Sequence, residues 1–248
     1  MSSTSASGTR VAIVTGGSRG IGRQVVQRLA ADGYAVVVNY VGNQAEADAA
    51  VAEVRSAGGQ AIAVRADVAD EVAVADLFDA AEREFGGIDV VVNAAGAMAL
   101  SPIADLDLDQ LDRLLRVNVR GTFAVDQQAA RRVRRGGAII NFSSSLMRFA
   151  RPGYAAYAAS KGAVSAITLI LARELRGRDV TVNAVAPGPT GTALFLDGKD
   201  EQTLARIAAE PPMERIGTPE EIAEVVAFLA GPGRWVNGQV LFANGGAI

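Results

Sequence analysis

The sequence predicts one α/β domain: a doubly wound parallel sheet of about seven strands, covered by helices on both faces. Three observations carry the prediction. Short β-branched runs alternate with helical stretches along the whole chain. A glycine-rich turn joins the first run to the first helix. No linker or shift in composition divides the 248 residues into two units.

The elements follow in order. Arg10 to Thr15 is a short apolar run and predicts a buried strand. Gly16-Gly17-Ser18-Arg19-Gly20-Ile21-Gly22 opens a helix that runs through Ala31, and Tyr34 to Asn39 is the second strand. Together these make a βαβ unit of the Rossmann type. Gln44 to Ala57 is helical, Ala61 to Arg65 a strand, Asp70 to Phe85 helical, and Ile88 to Asn93 a strand. Gly58-Gly59 and Gly86-Gly87 stop the two helices. Leu106 to Arg135 reads as one long helical region ended by Gly136-Gly137. Ala138 to Phe142 is a strand leading into Ser143-Ser144-Ser145. Gly153 to Arg176 is a helix, Val180 to Val185 a strand, Pro219 to Leu229 a helix, and Gln239 to Phe242 the last strand. Residues 1–9 are expected to be a disordered tail without a secretory signal, and residues 10–248 the single domain.

Composition narrows the chemistry. Half the residues are hydrophobic, enough for one large core. The 24 basic and 27 acidic residues give a net charge of -3, which makes no electrostatic case for nucleic acid or an anionic membrane as partner. No apolar run approaches the roughly 20 residues of a membrane span. Without cysteine or histidine, thiolate or imidazole metal sites and His-dependent triads are excluded, so no metal is assigned. Acid/base work falls to Tyr, Lys or carboxylates.

Tyr157 and Lys161 are four residues apart, hence one turn apart on one face of a helix. A nearby ammonium favours phenolate and brings a phenol toward a useful pKa. Ser144 supplies a hydroxyl for the oxygen that gains or loses the proton. Such a set interconverts a carbonyl and an alcohol, given a hydride carrier. Tyr154 is seven residues from Lys161 and reaches it less well. Ser143 and Ser145 have the plainer reading of strand-end hydroxyls. The glycine turn, in its strand–loop–helix context, brings backbone N–H groups to a phosphate at the helix N-terminus.

These landmarks together resemble the short-chain dehydrogenase/reductase family, from Thr15 to Gly246. The motifs occur in order: Thr15-Gly16-x-x-x-Gly20-x-Gly22, Asp67, Asn93-Ala94-Ala95-Gly96, Asn118, Ser144, Tyr157-x-x-x-Lys161 and Pro187-Gly188. The C-terminal Trp235-Val236-Asn237-Gly238-Gln239-Val240 and Asn244-Gly245-Gly246 are similar to the 3-oxoacyl-carrier-protein reductase-like branch. The resemblance implies that Tyr157 is the general acid in reduction and the base in oxidation. Lys161 would lower the Tyr157 pKa and hold the nicotinamide ribose, Ser144 would polarise the carbonyl, and Asn118 would fix a water in a proton relay. It also implies a cofactor surface of Gly16, Ser18, Arg19, Gly20, Ile21, Gly22, Asn39, Tyr40, Asp67, Val68, Asn93, Ala94, Gly96, Tyr157, Lys161, Pro187, Gly188, Thr190 and Thr192. Ala94 stands where the family usually has a second Asn.

The cofactor expectation is NADP(H) over NAD(H). NAD-binding sheets of this topology carry a carboxylate at the end of the second strand, roughly 20 residues after the glycines, to hold the ribose 2′-OH. Here that position is Asn39, followed by Tyr40. Arg19 in the glycine loop offers a planar cation to a 2′-phosphate instead. The expected function is hydride transfer between NADP(H) and a small ketone or secondary alcohol, in a cytoplasmic enzyme. The alternative is a catalytically silent NADP(H)-binding sensor or regulatory subunit. Residues 193–217 sit where the family has a mobile lid, with a self-packed surface helix as the plain alternative. Met98, Leu146, Met147, Phe149 and Tyr154 are candidate pocket walls, and Arg148 either meets an anionic substrate or is a surface charge. The helical regions around Leu111 to Arg132 and Gly153 to Arg176 match those the family pairs between subunits, which implies a homotetramer or homodimer.

Overall fold

The computed structural model describes residues 8–248; most of the expected N-terminal tail lies outside the described residues. Seven parallel strands run β1 Val11–Thr15, β2 Ala35–Tyr40, β3 Ala61–Arg65, β4 Ile88–Asn93, β5 Val133–Phe142, β6 Thr181–Pro187 and β7 Val240–Ala243. They form one sheet in the order β3-β2-β1-β4-β5-β6-β7. The chain winds one way from β1 to β3 and then the other way from β4, so the crevice of the sheet opens at the carboxyl ends of β1 and β4.

The strands are apolar on both faces, as a sheet covered twice requires. Successive residues alternate between two cores. Ala12, Val14, Val36, Val38, Val90, Val92 and Ile140 pack under α1 Gly20–Ala31, α2 Gln44–Ser56 and α10 Pro219–Ala230. Ile13, Val37, Val91 and Ile139 pack under α3 Glu71–Phe85, α5 Gly121–Arg132 and α7 Ala155–Glu174. Asp70 caps α3 by accepting from the N–H groups of Val72 and Ala73. Thr218 and Glu221 form a reciprocal capping box on α10, with Pro219 at its first turn.

Three expectations need correction. The long helical region is not continuous: α4 Leu108–Leu115 passes through a π-turn at Arg116–Arg120 into α5. Nor does it reach Arg135, because β5 begins at Val133. Val133 pairs with Ile88 across a register shift, and a Cβ at Gly137 would lie 2.4 Å from Asp89 O, so only glycine lets the strand through. Finally, α7 is 20 residues long and reaches a mean hydropathy of 1.4, long and apolar enough to cross a membrane by length and composition. Half of that stretch is buried against the fold, and its inner face carries Lys161, Val164, Thr168 and Leu171.

Two short helices, α8 Ala193–Leu196 and α9 Glu201–Ala208, form a cap in the expected lid segment. Backbone bonds from Gly191 N to Gly217 O and from Gly217 N to Pro189 O, both 2.9 Å, close its stem. A further short helix, α6 Leu146–Phe149, follows the serines after β5.

Candidate active site

The cleft lies at the carboxyl ends of the central strands. It encloses about 1010 Å³ including its open mouth. Ser144 enters from the end of β5, Tyr157 and Lys161 from α7, Gly96 from the turn after β4, and Pro187 to Thr190 from the turn after β6. Ile21, Ala94 and Thr192, also expected at the cofactor surface, line the cleft as well.

The helical spacing delivers Tyr157 and Lys161 to one place, with Lys161 Nζ 5.9 Å from the Tyr157 ring centroid. Burial, rather than the lowering expected from Lys161, sets the direction of the Tyr157 pKa. Burial raises the phenol, the Ser144 hydroxyl pulls it back, and Tyr154 raises it further. Burial pulls the Lys161 ammonium down to about 8. Each charged form is disfavoured because each has lost water, and Lys161 Nζ, lying over the Tyr157 ring, donates to Phe142 O at 2.7 Å. Ser144 Oγ accepts from Leu146 N at 3.2 Å, which leaves its own proton for an oxygen in the cleft.

Asn118 sits in the π-turn and is buried. Its side chain binds Ala97 twice, accepting from N at 2.8 Å and donating to O at 2.9 Å, and donates to Ser160 Oγ at 3.0 Å. Ser160 in turn donates to Tyr157 O. The amide thus ties the turn after β4 to the helix that carries Tyr157 and Lys161. A Cβ on Gly96 would lie 3.5 Å from both Asn118 Oδ1 and Lys161 Nζ, so the three residues meet. A π-turn inside a helix often marks a functional position. Ser160 was not anticipated, although its place one residue before Lys161 was visible.

Beside this cleft the glycine loop fits a dinucleotide phosphate. Gly16 and Gly20 have positive φ, and a Cβ at Gly22 would fall 2.2 Å from Gly16 O. The first turn of α1 therefore folds directly back on the loop. Arg19 occupies the N-cap without a side-chain bond, the first turn holds no acid, and its N–H groups are open to an anion. Ser18 is buried in the loop, and Arg19 is exposed with no carboxylate partner among the described residues. Thr15 Oγ1 donates to Asn93 Oδ1 at 3.1 Å, joining the ends of β1 and β4 at the crevice. Asn93 Nδ2 is buried with no hydrogen-bond partner among the described residues.

Several anticipated contacts are placed differently. Asn39 does not turn its side chain outward toward a ribose: it is buried, accepts from Gly16 N at 3.3 Å and donates to Ala66 O at 3.0 Å. Its role is to hold the glycine loop against β2. Tyr40 is likewise a core residue under α2. Val68 is buried against Gly121, whereas Asp67 is half-exposed and 3.5 Å from Arg116. Thr190 is buried and donates to Gly188 O at 3.0 Å, and Thr192 caps α8 while its methyl packs over Gly20. Met98, Leu146, Phe149 and Tyr154 do line the cleft. Met147 turns inward to the Ser143 and Ser165 hydroxyls. Arg148 lies over the Phe242 ring at 4.5 Å. Arg151 and Ile207 were missed as wall residues.

Comparison with known proteins agrees with this fold. The enoyl-(acyl carrier protein) reductase family model matches residues 16–247. A short-chain type dehydrogenase/reductase of Picea abies is 46% identical over 97% of this chain and 93% of its own length. An NADPH-dependent aldehyde reductase-like chloroplastic protein of Arabidopsis thaliana is 42% identical over 96% and 94%. A short chain dehydrogenase of Burkholderia cenocepacia, solved in complex with NADP, superimposes with a TM-score of 0.90 at 41% identity, covering 97% of this chain and 98% of that one.

Proposed function

Because the chain belongs to the short-chain dehydrogenase/reductase family, we propose that it transfers a hydride between NADP(H) and a ketone or secondary alcohol, with Tyr157 as general acid/base. One observation carries the reading: Ser144, Tyr157 and Lys161 line a single cleft, braced by Asn118, beside a glycine loop shaped for a dinucleotide phosphate.

The bound cofactor would supply the hydride to the carbonyl carbon. The chain supplies position and protons. The glycine loop and Arg19 hold the phosphates, and Arg19 favours a 2′-phosphate. Ser144 donates a hydrogen bond to the carbonyl oxygen. As negative charge develops on that oxygen, Tyr157 gives up its phenolic proton to it, and the product leaves as the alcohol. In the oxidising direction the same proton returns to the phenolate. Burial keeps the Tyr157 phenol protonated at neutral pH, which suits the acid role in reduction. Lys161 places a cation behind the phenol to favour proton release, and its bond to Phe142 O fixes where that cation sits.

Two relatives support the cofactor choice, one by its description as NADPH-dependent and one by its bound NADP. We further propose that α5 and α7 mediate a homotetramer or homodimer, since Phe123, Leu169 and Ile170 are exposed apolar residues on those helices. The silent-sensor alternative requires no proton-transfer set, and here that set is complete.

The test is a titration of the purified protein with NADPH and NADH, followed by nicotinamide fluorescence, then turnover on a ketone panel by the parent and Tyr157→Phe. NADPH should bind at least about tenfold tighter, a difference of about 1.4 kcal/mol. Tyr157→Phe should keep that affinity and lose on the order of 10²-fold or more in kcat. Equal binding of NADH removes the role given to Arg19, and undiminished turnover by Tyr157→Phe removes the mechanism.

A further inference from the structure

We propose that the cleft is selective for uncharged, apolar carbonyl compounds, and that an ion pair between Arg151 and Glu210 sets this selectivity; the inference rests on the reductase reading above. Away from the reacting hydroxyls the wall is apolar: Met98, Leu146, Phe149, Leu194, Phe195 and Ile207. Among the described residues two cations line the cleft. Lys161 is held by Phe142 O beside Tyr157. The other is Arg151, from the loop after α6, which lies over the Phe149 ring at 5.2 Å.

A lone guanidinium on an apolar wall would recruit a carboxylate or phosphate on the substrate. Arg151 is not alone. It pairs with Glu210, which follows α9 on the cap, and the two side chains are 23% and 32% exposed. Glu210 therefore cancels the attraction that Arg151 would exert. A substrate bearing an anion would have to displace Glu210 and leave that carboxylate unpaired next to a like charge. A neutral substrate faces no such exchange and gains the apolar contacts in full. The pair also joins the cap to the loop after α6. Arg148 does not compete for this role, being stacked on Phe242.

The experiment compares methyl 4-acetylbenzoate with 4-acetylbenzoate, which share a ketone and ring and differ by one negative charge. Both are assayed with NADPH at neutral pH on the intact protein, on Glu210→Gln, and on Glu210→Gln combined with Arg151→Gln. The parent should favour the ester by at least roughly tenfold in kcat/KM. Glu210→Gln should raise kcat/KM for the acid by about tenfold through KM, with the ester changed less than about threefold, and the double variant should lose that gain. A parent that reduces the acid as well as the ester overturns the inference and leaves the reductase reading standing. Glu210→Gln lowering both substrates equally also overturns it, since that is the mark of a brace for the cap alone. No reduction of either substrate, or of a neutral ketone and aldehyde panel, by protein that binds NADPH defeats the reductase reading and this inference with it.

Discussion

Asp126 offers a test of the core independent of catalysis. It lies on the inner face of α5 and is buried. Asn141 Nδ2 donates to its Oδ2 at 2.9 Å and to Thr168 Oγ1 at 3.0 Å. Asp126 Oδ1 and Asn141 Oδ1 are both buried acceptors without a donor among the described residues. That pattern suits a neutral acid–amide pair, in which the missing donor is the carboxyl proton itself. Burial accordingly pushes the carboxyl from 3.8 up to about 7, against a smaller opposing effect of Asn141. The sign follows from linkage. Below 3.8 the acid is protonated in the folded and unfolded chain alike, and the site carries no penalty. As pH rises the unfolded chain ionises first, and stability falls until the folded carboxyl ionises near 7. At about 1.4 kcal/mol per pKa unit the full loss is roughly 4 kcal/mol. Between about pH 5 and pH 8.5 the remaining loss is roughly 2–3 kcal/mol. Asp126→Asn keeps the shape, cannot ionise and brings its own donors. Urea denaturation of both proteins at those two pH values, at matched protein concentration, is the assay. The parent should lose about 2–3 kcal/mol more than the variant over the interval, and the variant should be the more stable at the higher pH. Equal pH dependence of the two proteins, or a variant less stable at the higher pH, would refute the reasoning.

Three further outcomes are expected. The rate constant for carbonyl reduction should fall as pH rises through about 8, because Lys161 loses its charge there while burial keeps the Tyr157 phenol protonated; a pH–kcat/KM profile that stays flat well above 8 contradicts this. Gly22→Ala places a Cβ 2.2 Å from Gly16 O and should abolish NADPH binding, measured by fluorescence titration, while far-ultraviolet circular dichroism retains the α/β signal. Asn39→Asp would be the obvious way to turn the second strand toward NAD, yet it sets a carboxylate against Ala66 O and Val64 O. Its expected result is a loss of about 2–4 kcal/mol in chemical denaturation rather than gained NADH affinity, and a stable variant that prefers NADH would show that the Asn39 side chain is free after all.

The sequence was most informative where a local pattern suffices. A strand buried on both faces reads as a nearly continuous apolar run, so β4 was bounded correctly from its run alone, whereas β3, a partly exposed edge strand, was bounded by the short run between Gly59 and Asp67. The start of β5 was not legible. Its residues 134–137 read Arg-Arg-Gly-Gly, and what makes them strand is the pairing of Val133 with Ile88, 45 residues away. Asn118 was conspicuous as an amide between valines, but the π-turn that buries it depends on the hydrogen bonds it makes to Ala97 and Ser160. Arg151 and Glu210 are 59 residues apart, and nothing near either one signals the other.

Asn39 and Tyr157 separate two kinds of inference. In both cases the sequence singled out a position and the fold decided its surroundings. For Asn39 it did not give the direction of the side chain, which the neighbouring carbonyls of β3 and the Gly16 N–H decide. For Tyr157 it gave the distance to Lys161 but not the medium between them. Helical spacing fixes proximity, and proximity alone would lower a phenol beside an ammonium. Burial acts on both groups at once, so the phenol rises and the ammonium falls. A motif therefore establishes which groups meet, while the surrounding fold decides which protonation states they hold when they do. Here the outcome is a protonated phenol beside a desolvated ammonium, the state that the acid role proposed for Tyr157 requires before substrate arrives.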